Sequence, residues 1–181
     1  MILFFGPPGS GKSVQGDLLV KRNNWQWLST GQIFRESKDP ELQKRLASGE
    51  LIDDELTNKI LDAALSEAQS GVKVVLDGYP RNTDQAAWLI ENLPKHNREI
   101  SCVVEFDVPK EELVSRMVDR GRAEDTEDVI VRRLEIYQEK TKPVLDFYRE
   151  RGVPIVRIDG IGTPEEVHER IHKAVEECIQ K

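Results

Sequence analysis

The 181-residue sequence is poor in cysteine and contains no long apolar run. Its two cysteines, Cys102 and Cys178, lie far apart, so they can build neither a disulfide framework nor a four-cysteine zinc site. We therefore expect two buried thiols and no zinc. No apolar stretch approaches the roughly 20 residues that cross a bilayer, and a strand-like run already begins at Ile2, so we expect neither a membrane span nor a secretion signal. These features predict a cytoplasmic protein.

Positive charge is also in deficit. The chain has 33 acidic and 26 basic residues, which gives a formal net charge of −7. This balance disfavours general binding to nucleic acid, because phosphate backbones require a basic surface. Any chemistry on phosphates must therefore depend on local clusters of lysine and arginine, which makes the positions of individual arginines informative.

Short apolar runs alternate with segments of helical period along the chain. The runs lie at residues 2–5, 25–28, 72–76, 102–106 and 153–158. Because they are largely apolar and do not alternate strictly with polar residues, they predict a parallel sheet covered by helices on both faces, a three-layer α/β domain. The length suits a single domain over residues 1–181. Two polar, charge-rich excursions, 30–53 and 121–128, interrupt the alternation and are natural candidates for mobile flaps.

Two helix ends can also be predicted. The helix before the run 72–76 should end at Gly71, a favourable C-terminal cap. The last helix should start with Thr163 as its N-cap and Pro164 in its first turn. One face of that last helix is apolar and carries Val167, Ile171, Val175 and Ile179.

Residues 6–16, GPPGSGKSVQG, match the phosphate-loop pattern G-x-x-x-x-G-K-[ST] between a strand-like run and a helical segment. The glycines let backbone N–H groups turn toward phosphate oxygens, and the helix adds the positive end of its dipole. We expect Lys12 to neutralise the β- and γ-phosphates of a nucleotide and Ser13 to place its hydroxyl on Mg²⁺. A plain glycine-rich turn would need neither residue at these spacings. The ATP contacts predicted in this loop are Gly9, Ser10, Gly11, Lys12, Ser13 and Val14.

A carboxylate and an arginine follow the run 72–76. Asp77 falls at the carboxyl edge of the predicted sheet, where ligands bind, and is a candidate to hold Mg²⁺ through water. The simpler alternative is an aspartate that opens a turn before Gly78. After that turn, Arg81 can chelate a phosphate through its planar guanidinium.

More arginines gather between residues 116 and 133. Phosphoryl transfer needs positive charge over both the donor and the acceptor phosphates, and such a cluster provides it. A solvated helix face paired with nearby acids is the alternative interpretation, which we adopt for Arg132.

Five ordered segments make the whole chain resemble the nucleoside monophosphate kinases, most closely the adenylate kinases. They are GPPGSGK at 6–12, STGQIFR at 29–35, SGELIDDEL at 48–56, LDGYPRNTDQ at 76–85 and RMVDRGRAEDTEDVIVRRL at 116–134. The resemblance implies a phosphate-loop NTPase-type fold with a five-stranded parallel sheet, a monophosphate-binding segment at 29–53 and a short lid at 121–128. It also implies a monomer that transfers the terminal phosphoryl group of Mg-ATP to AMP, reversibly, giving two ADP.

The resemblance further assigns an acceptor site residue by residue. Arg35 and Arg81 would hold the AMP phosphate, and Gln85 would bond the adenine edge, although an ordinary helix-surface amide is the alternative at that position. The implied AMP contacts are Thr30, Arg35, Ile52, Gly78, Arg81, Gln85, Arg122 and Arg133.

On the donor side, the resemblance places Arg116 against the adenine of ATP and Arg120 on its phosphates. Gly162 would give the adenine a backbone contact, unless it is simply a loop glycine. Arg122 and Arg133 would close over the transferring group. The implied catalytic residues are Lys12, Arg81, Arg120, Arg122 and Arg133.

The sequence departs from the family pattern at two places. Ser13 and Val14 stand where the family usually has glycine and threonine, so a hydroxyl expected near the phosphates is absent and Ser13 would have to replace it. Glu124 stands where the family usually has aspartate, which bears on a lid contact. The lid itself is the short type, without the inserted β domain and its four zinc-binding cysteines.

Two other functions remain open from the sequence. A UMP/CMP kinase shares the loop and the arginines; Thr30 and Gln85 favour adenine, whereas Asn82 and Trp88 resemble the pyrimidine group. A catalytically silent ATP-binding module would be expected to lack arginines around the transfer site, and here they are present.

Overall fold

The computed structural model describes residues 1–122 and 125–179. Within these ranges, five parallel strands form one sheet in the order β2-β3-β1-β4-β5, which confirms the predicted α/β class. The strands are β1 (Ile2–Phe5), β2 (Gln26–Ser29), β3 (Val74–Asp77), β4 (Cys102–Asp107) and β5 (Ile155–Asp159).

Helices connect the strands. They are α1 (Lys12–Asn23), α2 (Thr30–Glu36), α3 (Pro40–Ser48), α4 (Asp54–Glu67), α5 (Thr83–Asn92), α6 (Lys110–Arg120), α7 (Glu127–Ile136), α8 (Pro143–Glu150) and α9 (Pro164–Ile179). A short 3₁₀ helix, Leu93–His96, follows α5, and a π-helical turn, Tyr137–Thr141, joins α7 to α8. Among the described residues, no helix combines the length and the apolar character needed to span a membrane.

The central strand β1 carries a separate hydrophobic core on each face. Leu3 and Phe5 point to one side, where they pack with residues of α4, α5 and α8. Ile2 and Phe4 point to the other side, where they pack with residues of α1 and α9. All four side chains of β1 are at most 2% exposed. The continuous apolar pattern therefore reflects burial on both faces, as the three-layer prediction requires.

The first turn of α9 follows the predicted cap. The Thr163 hydroxyl accepts from the Glu166 backbone N–H at 3.2 Å, and the Glu166 carboxylate accepts from the Thr163 N–H at 2.8 Å. This reciprocal capping box satisfies two backbone donors at the start of the helix. The side chain of Ile179, at the predicted apolar face of α9, lies outside the described residues.

The other predicted helix end is wrong: α4 ends at Glu67, not at Gly71. Beyond that point, tertiary hydrogen bonds hold the chain in another conformation. The Gln69 N–H donates to the side chain of Gln26 at 3.0 Å, and Arg98 donates to the Gln69 carbonyl at 2.7 Å. These partners lie far away in sequence, so local helical period could not reveal them.

The strand register fixes the position of the site. Phe4 of β1 pairs with Asp77 of β3, and Leu28 and Ser29 of β2 pair with Leu76 and Asp77. The carboxyl ends of β1, β2 and β3 therefore meet at one edge, where open parallel sheets bind ligands.

Candidate active site

A cleft of about 590 Å³ opens at this edge of the sheet. It brings together most of the residues singled out in the sequence, from segments more than 100 residues apart. Those lining it are Gly9, Ser10, Gly11, Lys12, Ser13, Val14, Arg35, Asp77, Gly78, Arg81, Arg116, Arg120, Arg122, Arg133 and Gly162. An acidic protein thus concentrates one lysine and several arginines around a single cavity, as phosphate binding requires.

The phosphate loop runs from β1 into α1 through two left-handed glycines. Gly9 and Gly11 have φ angles of 84° and 93°, which other residues adopt only with strain. A Cβ on Gly9 would also lie 2.7 Å from the Leu113 carbonyl oxygen, so the close packing of the loop against α6 excludes a side chain.

Lys12 lies inside this loop. Its Nζ donates to the carbonyl oxygens of Gly6 and Pro7 at 2.8 and 2.9 Å, and to Ser10 Oγ at 3.1 Å. Burial lowers the pKa of Lys12 to about 8, with opposition from the Asp77 carboxylate and reinforcement from the arginines across the cleft. An ammonium that is poorly solvated in this way gains strongly from a phosphate that enters the loop.

Asp77 ends β3 with its side chain almost fully buried. Its Oδ2 accepts from the Ser29 hydroxyl of the neighbouring strand at 3.2 Å. Its Oδ1 is buried and has no hydrogen-bond partner among residues 1–122 and 125–179. A buried carboxylate oxygen left unpaired beside the phosphate loop can accept a hydrogen bond from a Mg²⁺-bound water, so Asp77 fits the predicted metal role.

Arg35 and Arg81 converge on one point. A Cβ built on Gly31 would lie 3.2 Å from Arg35 Nη1 and 3.8 Å from Arg81 Nη2. Arg81 is positioned by its own turn, since its Nε donates to the Gly78 carbonyl at 2.7 Å. Burial lowers the pKa of Arg81, the Asp77 carboxylate opposes this shift, and the Arg35 charge adds to it. Two guanidinium groups this close to one point can chelate a phosphate dianion together.

Three predicted AMP contacts do not line this cleft. The Thr30 hydroxyl lies 3.5 Å from the Asp77 carbonyl oxygen, beneath the Gly78 turn. Ile52 packs with Phe34 and Leu42 in a small apolar cluster of the 29–53 segment. Gln85 is 2% exposed, and its side chain bonds neighbouring protein groups.

On the opposite side of the cleft, Arg116 bridges two elements. Its Nε donates to Glu112 Oε1 at 2.7 Å, and its Nη2 donates to the Gly160 carbonyl at 3.1 Å. The predicted Gly162 follows in the same loop with φ 124°, and a Cβ there would meet Glu166 Oε2 at 2.6 Å. The loop after β5 is therefore tied to α6 beside the phosphate loop, where a donor base would lie.

Two of the arginines predicted to contact phosphate, Arg120 and Arg133, share one carboxylate, that of Asp125, which is among the nearby acids of the alternative interpretation. Arg120 donates through Nε and Nη2 to Asp125 at 2.8 and 2.7 Å, and Arg133 Nη1 donates to the same carboxylate at 3.2 Å. Burial raises the pKa of Asp125, but the two arginines outweigh it and hold the pKa below its ordinary value. Glu124 lies outside the described residues.

The residues that sequence reasoning missed are partners of predicted ones. Ser29 bonds Asp77, and Asp54 bonds Gln85, which is also contacted by Asn82. The contact of Ser29 with Asp77 could be predicted from sequence, because both residues end neighbouring parallel strands. Asp54 lies within the quoted segment SGELIDDEL, but nothing local distinguishes it from the neighbouring acids.

Comparison with known proteins adds an independent line. Residues 4–153 match the family model described as adenylate kinase. The chain is 36% identical over 180 residues to an adenylate kinase of Mycobacterium tuberculosis, covering 96% of this chain and 98% of the relative. It is 39% identical over 180 residues to one of Mycobacteroides abscessus, with the same coverage. It is 37% identical over 175 residues to one of Mycolicibacterium paratuberculosis, covering 93% and 95%. These matches span the scaffold and the cleft alike.

Proposed function

The chain belongs to the adenylate kinase family, and on this premise we propose that its cleft transfers the terminal phosphoryl group of Mg-ATP to AMP, reversibly, giving two ADP. The enzyme is a phosphotransferase that acts in adenine nucleotide homeostasis. The observation that carries the proposal is the second anion site: beyond the phosphate loop, Arg35 and Arg81 converge beside Gly31. A nucleoside triphosphatase would need only the first site, whereas an acceptor with its own phosphate needs both.

The reaction requires no protein nucleophile. An oxygen of the AMP phosphate forms a bond to the γ-phosphorus of ATP, the bond from that phosphorus to the bridging oxygen breaks, and ADP leaves with that electron pair. The protein therefore acts by holding both phosphates in line, neutralising them and excluding water.

We assign the donor phosphates to the loop and the lid. Backbone N–H groups of residues 9–14 cradle them, and Lys12 and Arg120 neutralise them. Arg122 and Arg133 close over the transferring group, between donor and acceptor. Arg116 faces the adenine of ATP, and Gly162 offers it a backbone contact. The shared lining of one cleft by these residues supports the assignment.

We assign the AMP phosphate to Arg35 and Arg81. The remaining acceptor residues are Thr30 and Ile52 of the segment 29–53, Gly78 after β3, and Gln85 of α5. Because three of them are buried beneath the cleft surface, the assignment requires the segment 29–53 to shift when AMP binds. Its own small apolar cluster, which contains Phe34 and Leu42, supports movement of that segment as a unit.

Adenylate kinases use Mg²⁺ with ATP. In this chain Ser13 and Asp77 would hold the ion, Asp77 through water. The bound ion would draw negative charge from the phosphate oxygens. The unpaired Oδ1 of Asp77 supports this choice.

We further propose that residues 1–181 act as one domain in which the short lid, 121–128, closes over the donor. We place the enzyme in the cytoplasm as a monomer. Two free buried thiols suit a reducing compartment, and the short-lid resemblance favours a monomer. Light scattering after size exclusion tests the monomer, which a dimer mass would contradict.

Turnover of AMP, CMP, UMP and GMP with Mg-ATP tests the proposed reaction. We expect AMP to have the highest kcat/KM and to yield two ADP per cycle. A clear preference for CMP or UMP would identify a pyrimidine kinase instead, and ATP binding without any acceptor turnover would identify a silent binding module.

A further inference from the structure

The side-chain amide of Gln85 is held from both ends. Its Oε1 accepts from the backbone N–H of Arg81 at 2.7 Å, and its Nε2 donates to Asp54 Oδ1 at 2.7 Å. Asn82 completes the arrangement: its Nδ2 donates to both oxygens of Asp54 at 3.1 Å, and its Oδ1 accepts from the Gln85 N–H at 2.8 Å. Gln85 is 2% exposed, so water does not compete with these bonds.

These two partners determine which way the amide points. A carboxylate only accepts hydrogen bonds and a backbone N–H only donates them. If the amide turned over, its oxygen would face the Asp54 carboxylate and its NH₂ group would face the Arg81 N–H. Both hydrogen bonds would be lost and both new contacts would be repulsive.

From this we propose that Asp54 is a positioning residue that fixes the orientation of the Gln85 amide and thereby makes the acceptor site select a 6-aminopurine over a 6-oxopurine monophosphate. The inference rests on the proposed contact between Gln85 and the AMP base. Asp54 itself touches no substrate in this scheme and acts only through Gln85.

The chemistry of the two base edges gives the selection. An amide has two N–H donors and two oxygen lone pairs, so beyond the bonds to Asp54 and Arg81 it retains one of each. Adenine presents an acceptor at N1 beside a donor at its 6-amino group, and these complement an N–H and a lone pair held in fixed order. Hypoxanthine, the base of IMP, presents the inverse order, a donor at N1 beside an acceptor at O6. A locked amide therefore meets donor with donor and acceptor with acceptor, and it rejects IMP.

An asparagine in place of Asp54 removes one of these two constraints. Its amide can offer either an oxygen or an NH₂ group to Gln85, so residue 54 no longer favours one orientation and only the Arg81 N–H still does. The shape of the side chain stays nearly constant, one of the two contacts from Asn82 is lost, and the Gln85 amide is held in order from one end only.

The test is Asp54→Asn, assayed with AMP and IMP as acceptors at saturating Mg-ATP. We expect the ratio of kcat/KM for AMP to that for IMP to fall at least about tenfold, through a higher KM for AMP and a gain with IMP. We expect kcat for AMP to stay within about threefold. A purely structural role for Asp54 would lower both substrates together and leave the ratio unchanged, which would overturn the proposal.

Asp84→Asn is the matched control. Asp84 is exposed and directly precedes Gln85 in α5. Like Asp54→Asn, Asp84→Asn removes one negative charge. We expect it to preserve the AMP:IMP ratio; an equal fall there would mean that the ratio reports charge alone and would overturn the role of Asp54.

Two further measurements keep the result decisive. If Asp54→Asn does not fold, Asp54→Ser replaces it, because a hydroxyl both donates and accepts and serine suits a helix start; the same fall in ratio is expected. Wild-type enzyme without AMP turnover would refute the proposed reaction itself. Wild-type AMP turnover with an unchanged ratio in the folded variant would refute only the role of Asp54.

Discussion

Asp125 binds Arg120 through both of its carboxylate oxygens, at 2.7 and 2.8 Å. The Asp125 side chain is only 1% exposed, whereas that of Arg120 is 28% exposed. The same carboxylate reaches Arg133 on α7. One acid thus joins the end of α6 to α7 across the predicted lid, and it holds two arginines of like charge near each other before any phosphate arrives.

We predict that Asp125→Asn lowers the free energy of unfolding by about 1–3 kcal/mol at pH 7, because a buried charge-assisted contact is lost. The folded pKa of Asp125 is depressed, so its contribution is present above the unfolded value of about 3.9 and is lost as pH falls through the folded value. Urea unfolding from pH 7 to pH 3 should therefore show a difference between wild type and variant that shrinks below about pH 4. Asp119→Asn, on the exposed side of α6, is the control; a difference that is constant over pH would contradict the prediction.

We predict that Arg81→Lys lowers kcat/KM for AMP by about 10²- to 10³-fold while the melting temperature changes little. Lysine keeps the charge but lacks the planar fork that could chelate a phosphate beside Arg35. Arg132→Lys is the matched control, since Arg132 pairs with Glu50 and Glu135 outside the cleft, and it should retain turnover within about twofold. Near-wild-type kcat/KM for AMP in Arg81→Lys would refute the role of Arg81.

Whether Ser13 replaces the threonine hydroxyl of the family pattern can be tested by removing the hydroxyl at position 13 and restoring one at position 14. If Ser13 serves Mg²⁺, Ser13→Ala should raise the Mg²⁺ concentration needed for half-maximal rate by about two- to tenfold, as expected for the loss of one hydroxyl contact. Val14→Thr in that background should restore it, because Val14 is exposed at the start of α1 and a threonine there fits. Unchanged Mg²⁺ dependence in Ser13→Ala would assign no metal role to Ser13.

The fold was predictable because its strands are buried on both faces. All four residues of β1 are apolar and buried, so a continuous run identified the strand without any alternation. The third strand was predicted at 72–76, but its ladder runs over Val74–Asp77. Asp77 was predicted at the carboxyl end of this strand and lies there, whereas the hydrogen bond from the Ser29 hydroxyl of β2 was not predicted.

The positively charged residues of the site could be predicted from sequence, but two hydrogen-bonded pairs that position its side chains could not. Lys12 and Arg81 line the cleft, and each could be named in advance, Lys12 from the phosphate-loop pattern and Arg81 from the turn at the sheet edge. The pairing of Asp125 with Arg120 depends on the left-handed turn at Gly121, which reverses the chain after α6. The pairing of Asp54 with Gln85 depends on the packing of α4 against α5. Neither relationship has a local sequence signature.

The close contact between α1 and β2 gives a last prediction. A Cβ on Gly16 would lie 2.4 Å from ring carbons of Trp27, whose ring also packs edge-on against Phe4. Gly16→Ala should gain about 1 kcal/mol in helix propensity but lose about 1–3 kcal/mol through overpacking, so we expect a net destabilisation of up to about 2 kcal/mol.

Thermal unfolding of Gly16→Ala, Trp27→Leu and the double variant measures the coupling between the two positions. In the Trp27→Leu background the ring is absent, so Gly16→Ala should become neutral or stabilising. An equal cost in both backgrounds would mean that the clash does not set the requirement for glycine. Because α1 carries Lys12 and Ser13 at its start, the single variant should also raise KM for ATP, and the double variant should recover part of that loss.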